Sequence, residues 1–293
     1  MNNLYNKEYE MTDIKNILMC PECKCPLTEC LQCTGCHRQY EYLHGVYNIV
    51  SEKISGDSEY LYKVTDEMLA DLFSEKHNTK RAETTLDYYA KWNSETLDAQ
   101  KKQNTYLCKI IDNLSGVVCD LATGGGSMLE KILNVKQKNF IIVCTDINIT
   151  QLIMTRRHLK TDDKRVFYVG TDGRQMSIKS NSFDYITSLS GFGNIPEGNR
   201  VAKELYRILK PNGKLILQGE YIEMGSKSFE LAKSVGVERG VVEEYLISDL
   251  RDAGFENIES TIVAEAIWAE NPYDLIPAAG DIKRFCIIQA QKP

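Results

Sequence analysis

Short apolar runs alternate with amphipathic segments along the last two thirds of the chain. Between the runs, apolar residues recur three and four positions apart, as at Val201, Leu205 and Ile208, which is the spacing of a helix with one buried face. This alternation of strands and helices predicts a parallel sheet covered by helices. The runs predicted as strands are residues 117–118, 140–144, 166–170, 183–189, 214–218, 261–268 and 283–289.

The first of these strands leads directly into a glycine turn. Asp120 follows the apolar residues, three glycines stand at 124–126, and an apolar helical stretch follows at 128–133. The next strand ends at Asp146, an acid placed to accept hydrogen bonds from ribose hydroxyls. Glycines let the backbone approach a ligand that a Cβ would push away. The spacing predicts a nucleotide site, but Leu129 stands where a dinucleotide fingerprint has its third glycine.

The residues around this turn resemble a known family. Residues 120–126, DLATGGG, resemble the D-x-G-x-G-x-G motif of class I S-adenosylmethionine (SAM) methyltransferases, with Ala122 in place of the first glycine. Residues 204–217, ELYRILKPNGKLIL, resemble the family's RVLKPGG element, and residues 248–259 resemble the helix and turn that follow it. The resemblance covers about residues 100–293. It implies a Rossmann-like α/β fold with a seven-stranded sheet in the order 3-2-1-4-5-7-6, in which strand 7 is antiparallel.

The resemblance also implies roles for individual residues. In the family, the glycine loop holds the methionine moiety of SAM, with Asp120 close behind it. Asp146 then binds the ribose, and the acid after the third strand, here Asp172, faces the adenine amino group. SAM carries its own leaving group, so the protein needs to align a nucleophile with the C–S bond and exclude water. The predicted SAM-binding residues are Asp120, Ala122, Thr123, Gly124, Gly126, Asp146, Ile147, Asp172, Gly173 and Ser188.

A second signal lies near the N-terminus, where six of the ten cysteines fall within residues 20–36. Two C-x2-C pairs with nine residues between them are Cys20, Cys23, Cys33 and Cys36. Each pair can supply two thiolates to one tetrahedral ion, and two such pairs make a zinc ribbon. We predict these four as ligands of a structural Zn²⁺, with disulfides and free thiols as the alternatives. Cys25 and Cys30 form an offset third pair that leaves the ligand set open.

The predicted ribbon has its own resemblance. Residues 20–50 resemble the small Trm112-type zinc module and the zinc module at the front of rRNA guanine-N1 methyltransferases. In both, the cysteine pairs are followed by an aromatic strand, a glycine turn and a short apolar strand, here residues 40–42, Gly45 and residues 46–50. Four thiolates leave no open coordination position, so the predicted role of the ion is in folding.

Charge and hydropathy limit the classes of binding partner that the sequence predicts. The net charge is −6, and the first fifty residues hold four Lys or Arg against six Asp or Glu. A ribbon that gripped RNA phosphates should be basic, so the acidic charge disfavours nucleic acid as a partner. No apolar run approaches membrane-spanning length, and we expect no membrane partner. The clustered, reducible cysteines, and a start at residues 1–10 with no apolar signal core, predict a cytoplasmic protein.

Three regions follow from these signals. We predict a zinc-ribbon module at residues 1–50, a helical linker or lid at 51–100 and a SAM-dependent methyltransferase domain at 101–293. The linker carries Tyr88, Tyr89 and Trp92 just before the domain begins. This aromatic cluster either covers the SAM and acceptor site or packs onto the core, and the sequence favours neither.

The sequence says least about the methyl acceptor. Methyltransferases that act on amino groups of bases often carry N/D-P-P-Y/F after the fourth strand, whereas residues 190–196 here are SGFGNIP. With the LKPNG turn, this resembles the ubiquinone/menaquinone-type C-methyltransferases, which implies a small-molecule acceptor. The candidate catalytic residues are Tyr89, Glu220 and Tyr221, with Glu223 and the loop 271–274 also placed near the acceptor.

We therefore predict a SAM-dependent methyltransferase that acts on a small molecule by in-line displacement and carries a structural zinc ribbon. One alternative is an RNA methyltransferase, acting on an rRNA base, whose ribbon recognises the RNA. Another is a SAM-binding regulatory protein without turnover. The three ligand acids show binding capacity only, so they do not separate this last hypothesis from the first.

Overall fold

The computed structural model describes residues 14–51, 53, 63–136, 139–159 and 163–293. The predictions made for residues 1–13, at the start of the ribbon module, and for residues 52 and 54–62, in the predicted linker, concern residues outside this description. No helix in the described ranges is both long and apolar enough to cross a membrane.

One nine-stranded sheet runs through the described chain, with helices on its two faces. In chain order the strands are β1 (Glu41–Leu43), β2 (Val46–Asn48), β3 (Gly116–Leu121), β4 (Phe140–Asp146), β5 (Val166–Gly170), β6 (Phe183–Leu189), β7 (Leu209–Ile222), β8 (Glu256–Ile267) and β9 (Ile282–Gln291). The helices are α1 (Asp66–Leu72), α2 (Glu75–Ala90), α3 (Ser94–Ile111), α4 (Ser127–Leu133), α5 (Ile149–His158), α6 (Gly198–Ile208), α7 (Lys227–Ser234), α8 (Glu238–Val241) and α9 (Glu243–Ala253).

Seven of the strands have the predicted topology. They follow one another across the sheet as β5-β4-β3-β6-β7-β9-β8, which is the order 3-2-1-4-5-7-6 when these seven are numbered along the chain. The pairs from β5 to β7 are parallel, and β9 lies antiparallel to both β7 and β8. The predicted methyltransferase sheet is therefore confirmed.

The sheet has nine strands, two more than the seven of the predicted methyltransferase sheet. The two extra strands are β1 and β2, the aromatic and apolar strands that follow the cysteine pairs. β2 pairs in parallel with β5, with Val46 opposite Tyr168 and Asn48 opposite Gly170. The hairpin thus covers the backbone hydrogen-bonding groups that β5 would otherwise expose as an edge strand.

The cysteine-containing segment is also tied to the chain that follows β5. The N–H of Met19 donates to the carbonyl of Ser177 at 2.9 Å, and the Ser177 hydroxyl donates to the carbonyl of Ile49. The side chain of Gln175 donates to the carbonyl of Pro21. These bonds reach residues 171–178, which continue from the end of β5, so the segment contacts the edge of the sheet where β5 ends.

The predicted turn at 210–213 lies inside β7 as an irregularity in its pairing with β6. Leu209 is opposite Phe183, but Lys214 is opposite Tyr185, so four residues of β7 bulge out where β6 has one. Asn212, in this bulge, has φ of +63°. Pro211 and Gly213 thus end the α6 helix as predicted, but the chain stays within the sheet.

Two apolar layers enclose the sheet. One contains buried side chains of α3, α4 and α5, and the other contains those of α6 and α9. A buried polar residue, Gln103 of α3, donates to the carbonyls of Gly219 at 2.8 Å and Cys286 at 2.9 Å. Gln103 therefore fixes α3 against the carboxyl-terminal part of β7, the region that lines one of the two cavities described below.

Candidate functional site

The glycine turn connects β3 to α4 through left-handed backbone. The angle φ is +50° at Ala122, +51° at Gly124 and +86° at Gly126. A Cβ on Gly124 would have only the Ala122 carbonyl oxygen within 4 Å, at 3.8 Å, so open space lies in front of this residue. A Cβ on Gly126 would lie 2.6 Å from the methyl group of Thr155. Glycine at 124 therefore leaves room for a ligand, and glycine at 126 lets α5 pack closely.

Asp146, the last residue of β4, holds this turn in place. Its carboxylate accepts hydrogen bonds from the backbone N–H groups of Gly124 and Asn148, each at 2.9 Å. Burial raises the pKa of the Asp146 carboxyl, and the backbone N–H donors oppose that rise. Because a carboxylate has about four acceptor positions, Asp146 can also accept hydrogen bonds from the hydroxyl groups of a ligand.

Asp120, in β3 just before the turn, is fully buried. Neither of its carboxylate oxygens has a hydrogen-bond partner among the described residues. Its pKa is raised to about 7, chiefly by burial, with the charge of Asp146 adding to the rise. A buried carboxylate without a partner is costly, and a positively charged ligand on the other side of the turn would relieve that cost.

Asp172, which follows β5, is paired within the protein. Its carboxylate binds the guanidinium of Arg174 through Nε at 3.0 Å and Nη2 at 2.7 Å, and it also accepts the backbone N–H of Arg174 at 2.8 Å. Arg174 in turn lies 3.2 Å from Glu197. The carboxylate of Asp172 is therefore held rigidly at its position beside the turn.

A cavity of about 400 Å³ opens between these strand ends. Its lining contains six of the predicted SAM-binding residues, namely Ala122, Gly124, Asp146, Ile147, Asp172 and Gly173. The residues not predicted as SAM-binding are Leu121, Thr145, Thr171, Arg174, Gly191, Asn194, Ile195 and Pro196. Thr145 and Thr171 directly precede the predicted residues Asp146 and Asp172 at the ends of β4 and β5, and this position in the sequence could have identified them.

Four predicted cofactor residues lie outside this lining: Asp120, Thr123, Gly126 and Ser188. Two of them make hydrogen bonds that shape the turn. The Thr123 hydroxyl donates to the Asp120 carbonyl at 3.1 Å, and the Ser188 hydroxyl donates to the Leu121 carbonyl at 2.9 Å. Thr123 and Ser188 therefore lie behind the residues that form the cavity surface and hold the backbone of those residues in place.

A second cavity, of about 290 Å³, lies at the carboxyl ends of β6 and β7. Its polar side chains include Tyr88, Glu220, Asp274 and Lys283. Asn194 lines both cavities, and the adjacent residues Ser190 and Gly191 line the second and the first cavity, respectively. The two spaces therefore meet at the loop that follows β6.

The candidate catalytic residues fall into two groups. Glu220 and Tyr221 line the second cavity, and the Ser190 hydroxyl donates to Glu220 at 3.2 Å. Tyr89 lies outside that lining with 46% of its surface exposed, whereas its neighbour Tyr88 lines the cavity. One residue along a helix turns the side chain by about 100°, so the aromatic cluster presents Tyr88 and not Tyr89.

Two further predictions concern the mouth of this site. Glu223 pairs with Arg284, on the neighbouring strand β9, and lies outside the lining. From the predicted loop 271–274, Asp274 lines the cavity. Its neighbour Tyr273 donates its hydroxyl to Asp87 of α2, which connects this loop to the helical linker.

The four predicted metal ligands converge. The sulfur atoms of Cys20, Cys23, Cys33 and Cys36 all lie within 4.8 Å of one another. Cys20 and Cys36 are separated by 3.6 Å, and Cys23 and Cys33 by 3.3 Å. Four thiolates around Zn²⁺ at about 2.3 Å would have sulfurs about 3.8 Å apart, so this donor set fits such an ion.

The other two cysteines of the segment are not among the four sulfurs that lie within 4.8 Å of one another, although the Cys25 thiol interacts with Cys23. Cys30 lies 3.1 Å from the hydroxyl of Thr28, and Cys25 packs against Gly35. All ten cysteines are free thiols. Of the six cysteines in this segment, the four predicted as ligands are the ones whose sulfurs form the compact group.

The sheet order with its antiparallel last strand, together with the glycine turn, defines a class I methyltransferase, the α/β class that takes its methyl group from SAM. Residues 68–234, more than half of the chain, match the ubiE/COQ5 methyltransferase family. The chain belongs to this family.

Curated relatives match over a shorter stretch. The ubiquinone/menaquinone biosynthesis C-methyltransferase UbiE of Rickettsia typhi is 33% identical over 113 residues, which are 36% of this chain and 45% of that protein. The UbiE protein of Yersinia enterocolitica is 29% identical over 171 residues, 48% of this chain and 66% of that protein. The chain thus spans about half the length of the first relatives it matches.

Solved structures share the fold. Phosphoethanolamine N-methyltransferase 2 of Haemonchus contortus, solved with phosphomonomethylethanolamine and S-adenosylhomocysteine, superposes with a TM-score of 0.53 at 20% identity. The superposition covers 65% of this chain and 52% of that one. The same enzyme with SAM gives a TM-score of 0.52.

Proposed function

We propose that this chain transfers the methyl group of SAM to a small-molecule acceptor by in-line displacement. The observation that carries the proposal is the pair of cavities that meet at Asn194, one at the ends of β3, β4 and β5 and the other at the ends of β6 and β7. Two ligands seated there can bring their reacting atoms together while the protein surrounds them. Such alignment of two reactants can lower the barrier of a displacement reaction by about 7–11 kcal/mol.

The cavity beside the glycine turn suits SAM. In our proposal Asp146 accepts hydrogen bonds from the ribose hydroxyls, and the segment at Asp172 and Gly173 receives the adenine. The space in front of Gly124 admits the methionine part close to the backbone. The unpartnered charge of Asp120 behind the turn favours a cationic ligand in front of it.

SAM supplies the methyl group on a positively charged sulfur, which leaves as a neutral thioether. The chain's own residues then have three tasks: to hold the acceptor opposite that sulfur, to exclude water and to receive any proton released. Glu220, Tyr221 and Asp274 line the second cavity and are placed for these tasks.

The small-molecule class of the acceptor is supported by the relatives. The UbiE proteins are described as C-methyltransferases of ubiquinone and menaquinone biosynthesis, and the Haemonchus enzyme is solved with a small phosphorylated amine. The second cavity is of small-molecule size, as an acceptor of this class requires.

We also propose that the four converging cysteines hold a structural Zn²⁺. The convergence of their four sulfurs, all within 4.8 Å of one another, supports a four-thiolate site with a role in folding. Ten free thiols in one chain further support a reducing, cytoplasmic location.

The proposal is tested by calorimetry with SAM, followed by measurement of S-adenosylhomocysteine formed when a small-molecule extract of the source cells is added. We expect one SAM bound per chain and S-adenosylhomocysteine formation that depends on the extract. Absence of SAM binding would overturn the cofactor assignment. Binding without extract-dependent turnover would instead favour a SAM-binding regulatory protein.

A further inference from the structure

The helix α2 lies beside both cavities, although it is packed loosely against the rest of the described chain. No residue of α2 is buried, and His77 and Tyr88 are the two that are partly covered, the others being exposed. At its carboxyl end the Tyr88 ring packs edge-on against Trp92, with the ring centres 5.7 Å apart, and Asp87 accepts a hydrogen bond from the Tyr273 hydroxyl. A helix with so few buried contacts can be repositioned at little cost.

One side of α2 connects the two cavities. His77, Arg81 and Tyr88 follow one another at intervals of four and seven residues, which places them on the same side of the helix. Because His77 and Tyr88 are the partly covered residues of α2, this side faces the protein. Tyr88 lines the second cavity, here called the acceptor cavity. Arg81 lies two turns before Tyr88, at a distance of about 10 Å along the helix axis.

The guanidinium of Arg81 lies at the glycine turn. A Cβ placed on Gly125 would be 3.8 Å from Nη2 of Arg81. Gly125 adjoins Gly124, in front of which the methionine part of SAM is proposed to bind. The residues that the structure describes give the Arg81 guanidinium no ion pair or hydrogen bond, and Arg81 is exposed. This guanidinium is therefore available to a ligand that occupies the turn.

The first cavity, here called the cofactor cavity, lacks a positive partner for the carboxylate of SAM. Asp146 and Asp172 line it and Asp120 is buried behind the turn, so three acids surround the proposed SAM site. Ionised acids repel the carboxylate that SAM carries on its methionine part. Among the described lining residues the one cation is Arg174, which already binds Asp172 at 2.7 Å, at the end proposed for adenine. A cation at the turn is therefore needed, and Arg81 lies there.

We propose that Arg81 binds the carboxylate of SAM and that this ion pair draws α2 onto the glycine turn, which fixes Tyr88 in the wall of the acceptor cavity. This inference rests on the proposed function, since it assigns a residue to the same cofactor site. A guanidinium can bind a carboxylate through two parallel hydrogen bonds, which fix direction as well as distance. Binding of SAM thereby completes the acceptor cavity before the acceptor enters.

The experiment compares SAM with decarboxylated SAM, which keeps the sulfonium, the ribose and the adenine but lacks the carboxylate. Both affinities are measured by calorimetry on the full chain and on Arg81→Gln. The variant should bind SAM about tenfold more weakly, the loss expected for a hydrogen bond between charged groups. Its affinity for decarboxylated SAM should equal that of wild type. In wild type, SAM should also slow amide hydrogen exchange in residues 75–90, and in Arg81→Gln it should not.

The matched control is Lys80→Gln, which removes one positive charge at the adjacent exposed position, about 100° around the helix. It should leave both affinities unchanged. If Arg81→Gln kept its SAM affinity, or lost affinity equally for both ligands, the inference would be overturned while the cofactor assignment stood. Protection of α2 by SAM that persisted in Arg81→Gln would also overturn it. Failure of wild type to bind SAM would overturn the proposed function and the inference together.

Discussion

The two cavities are built in different ways. Residues of the cofactor cavity come mostly in short groups directly after β3, β4 and β5, where parallel strands end at one edge of the sheet. The acceptor cavity collects its polar side chains from α2, the end of β7, the loop before β9 and β9 itself. The first is set by strands and a glycine turn, and the second by tertiary contacts between distant segments.

This difference separates the residues proposed to bind the methyl donor from those proposed to bind the acceptor. The cofactor cavity uses backbone groups and acids fixed by backbone hydrogen bonds, such as Asp146, so few substitutions there are tolerated. The acceptor cavity uses side chains from α2, two strand ends and the loop before β9, which can change without disturbing the glycine turn. One fold can therefore keep its methyl donor while its acceptor varies.

Loss of the ribbon metal should have the largest effect on folding stability, and of the two cavities it should affect only the cofactor cavity. Structural zinc contributes about 10–16 kcal/mol to small modules, so chelation or Cys33→Ser should disorder residues 18–36. Met19 and Pro21 would then release Ser177 and Gln175, beside the segment that lines the cofactor cavity. We expect about a tenfold loss of SAM affinity by calorimetry, with zinc measured by mass spectrometry.

Cys30→Ser, outside the cluster, is the matched control and should keep one zinc per chain. Unchanged SAM affinity in metal-free protein would show that the ribbon and the cofactor cavity are independent.

The buried Asp120 should make stability depend on pH. Its pKa is near 7 in the folded protein and 3.8 is its ordinary value, so protonation stabilises the fold. The raised pKa of Asp120 adds at most about 4 kcal/mol to the free energy of unfolding. This contribution is fully present below about pH 4 and is lost as the pH rises through 7. In denaturant titrations without SAM, Asp120→Asn should be more stable than wild type at pH 8, and the difference should shrink toward pH 4. A difference independent of pH would contradict this assignment.

Asp146→Ala should lower SAM affinity about 100-fold, because it removes charged hydrogen bonds of about 1.5–3 kcal/mol each and frees Gly124. Calorimetry checks this, with Asp274→Asn as the comparison in the other cavity. If both variants lost SAM affinity equally, the two cavities would not be separate sites.

Ala122→Gly should have the smallest effect. Ala122 has φ of +50°, where a Cβ is unfavourable. The Ala122 Cβ also lies close to Gly191, since it is 2.7 Å from the point where a Cβ on Gly191 would be. Replacement by glycine should raise the free energy of unfolding by up to about 1 kcal/mol in thermal or denaturant melts. A decrease would mean that the alanine methyl contributes packing that outweighs the strain.

The contrast between the cavities also explains what the sequence could predict. Asp146 and Gly124 follow apolar runs within a few residues, so the strand pattern places them at one edge of the sheet. The seven-stranded order followed from resemblance and is confirmed. The two strands of the β1–β2 hairpin were predicted, but their pairing with β5 was not, because nothing in a strand's own sequence states which edge it will join.

Prediction was weaker for the acceptor cavity. Asp274 and Lys283 come together with Glu220 only through the pairing of β7 with β9, in which Glu220 lies opposite Phe285. Tyr88 and Tyr89 are neighbours in sequence, and the helix decides which of them faces the cavity. Side chains brought together by tertiary packing leave no local spacing to detect.

The most direct test of two adjoining sites is a crystal structure with S-adenosylhomocysteine bound. We predict its ribose at Asp146, its adenine beside Asp172 and its sulfur facing the second cavity past Asn194. A ligand bound elsewhere, or a sulfur separated from the second cavity by the loop after β6, would contradict the account.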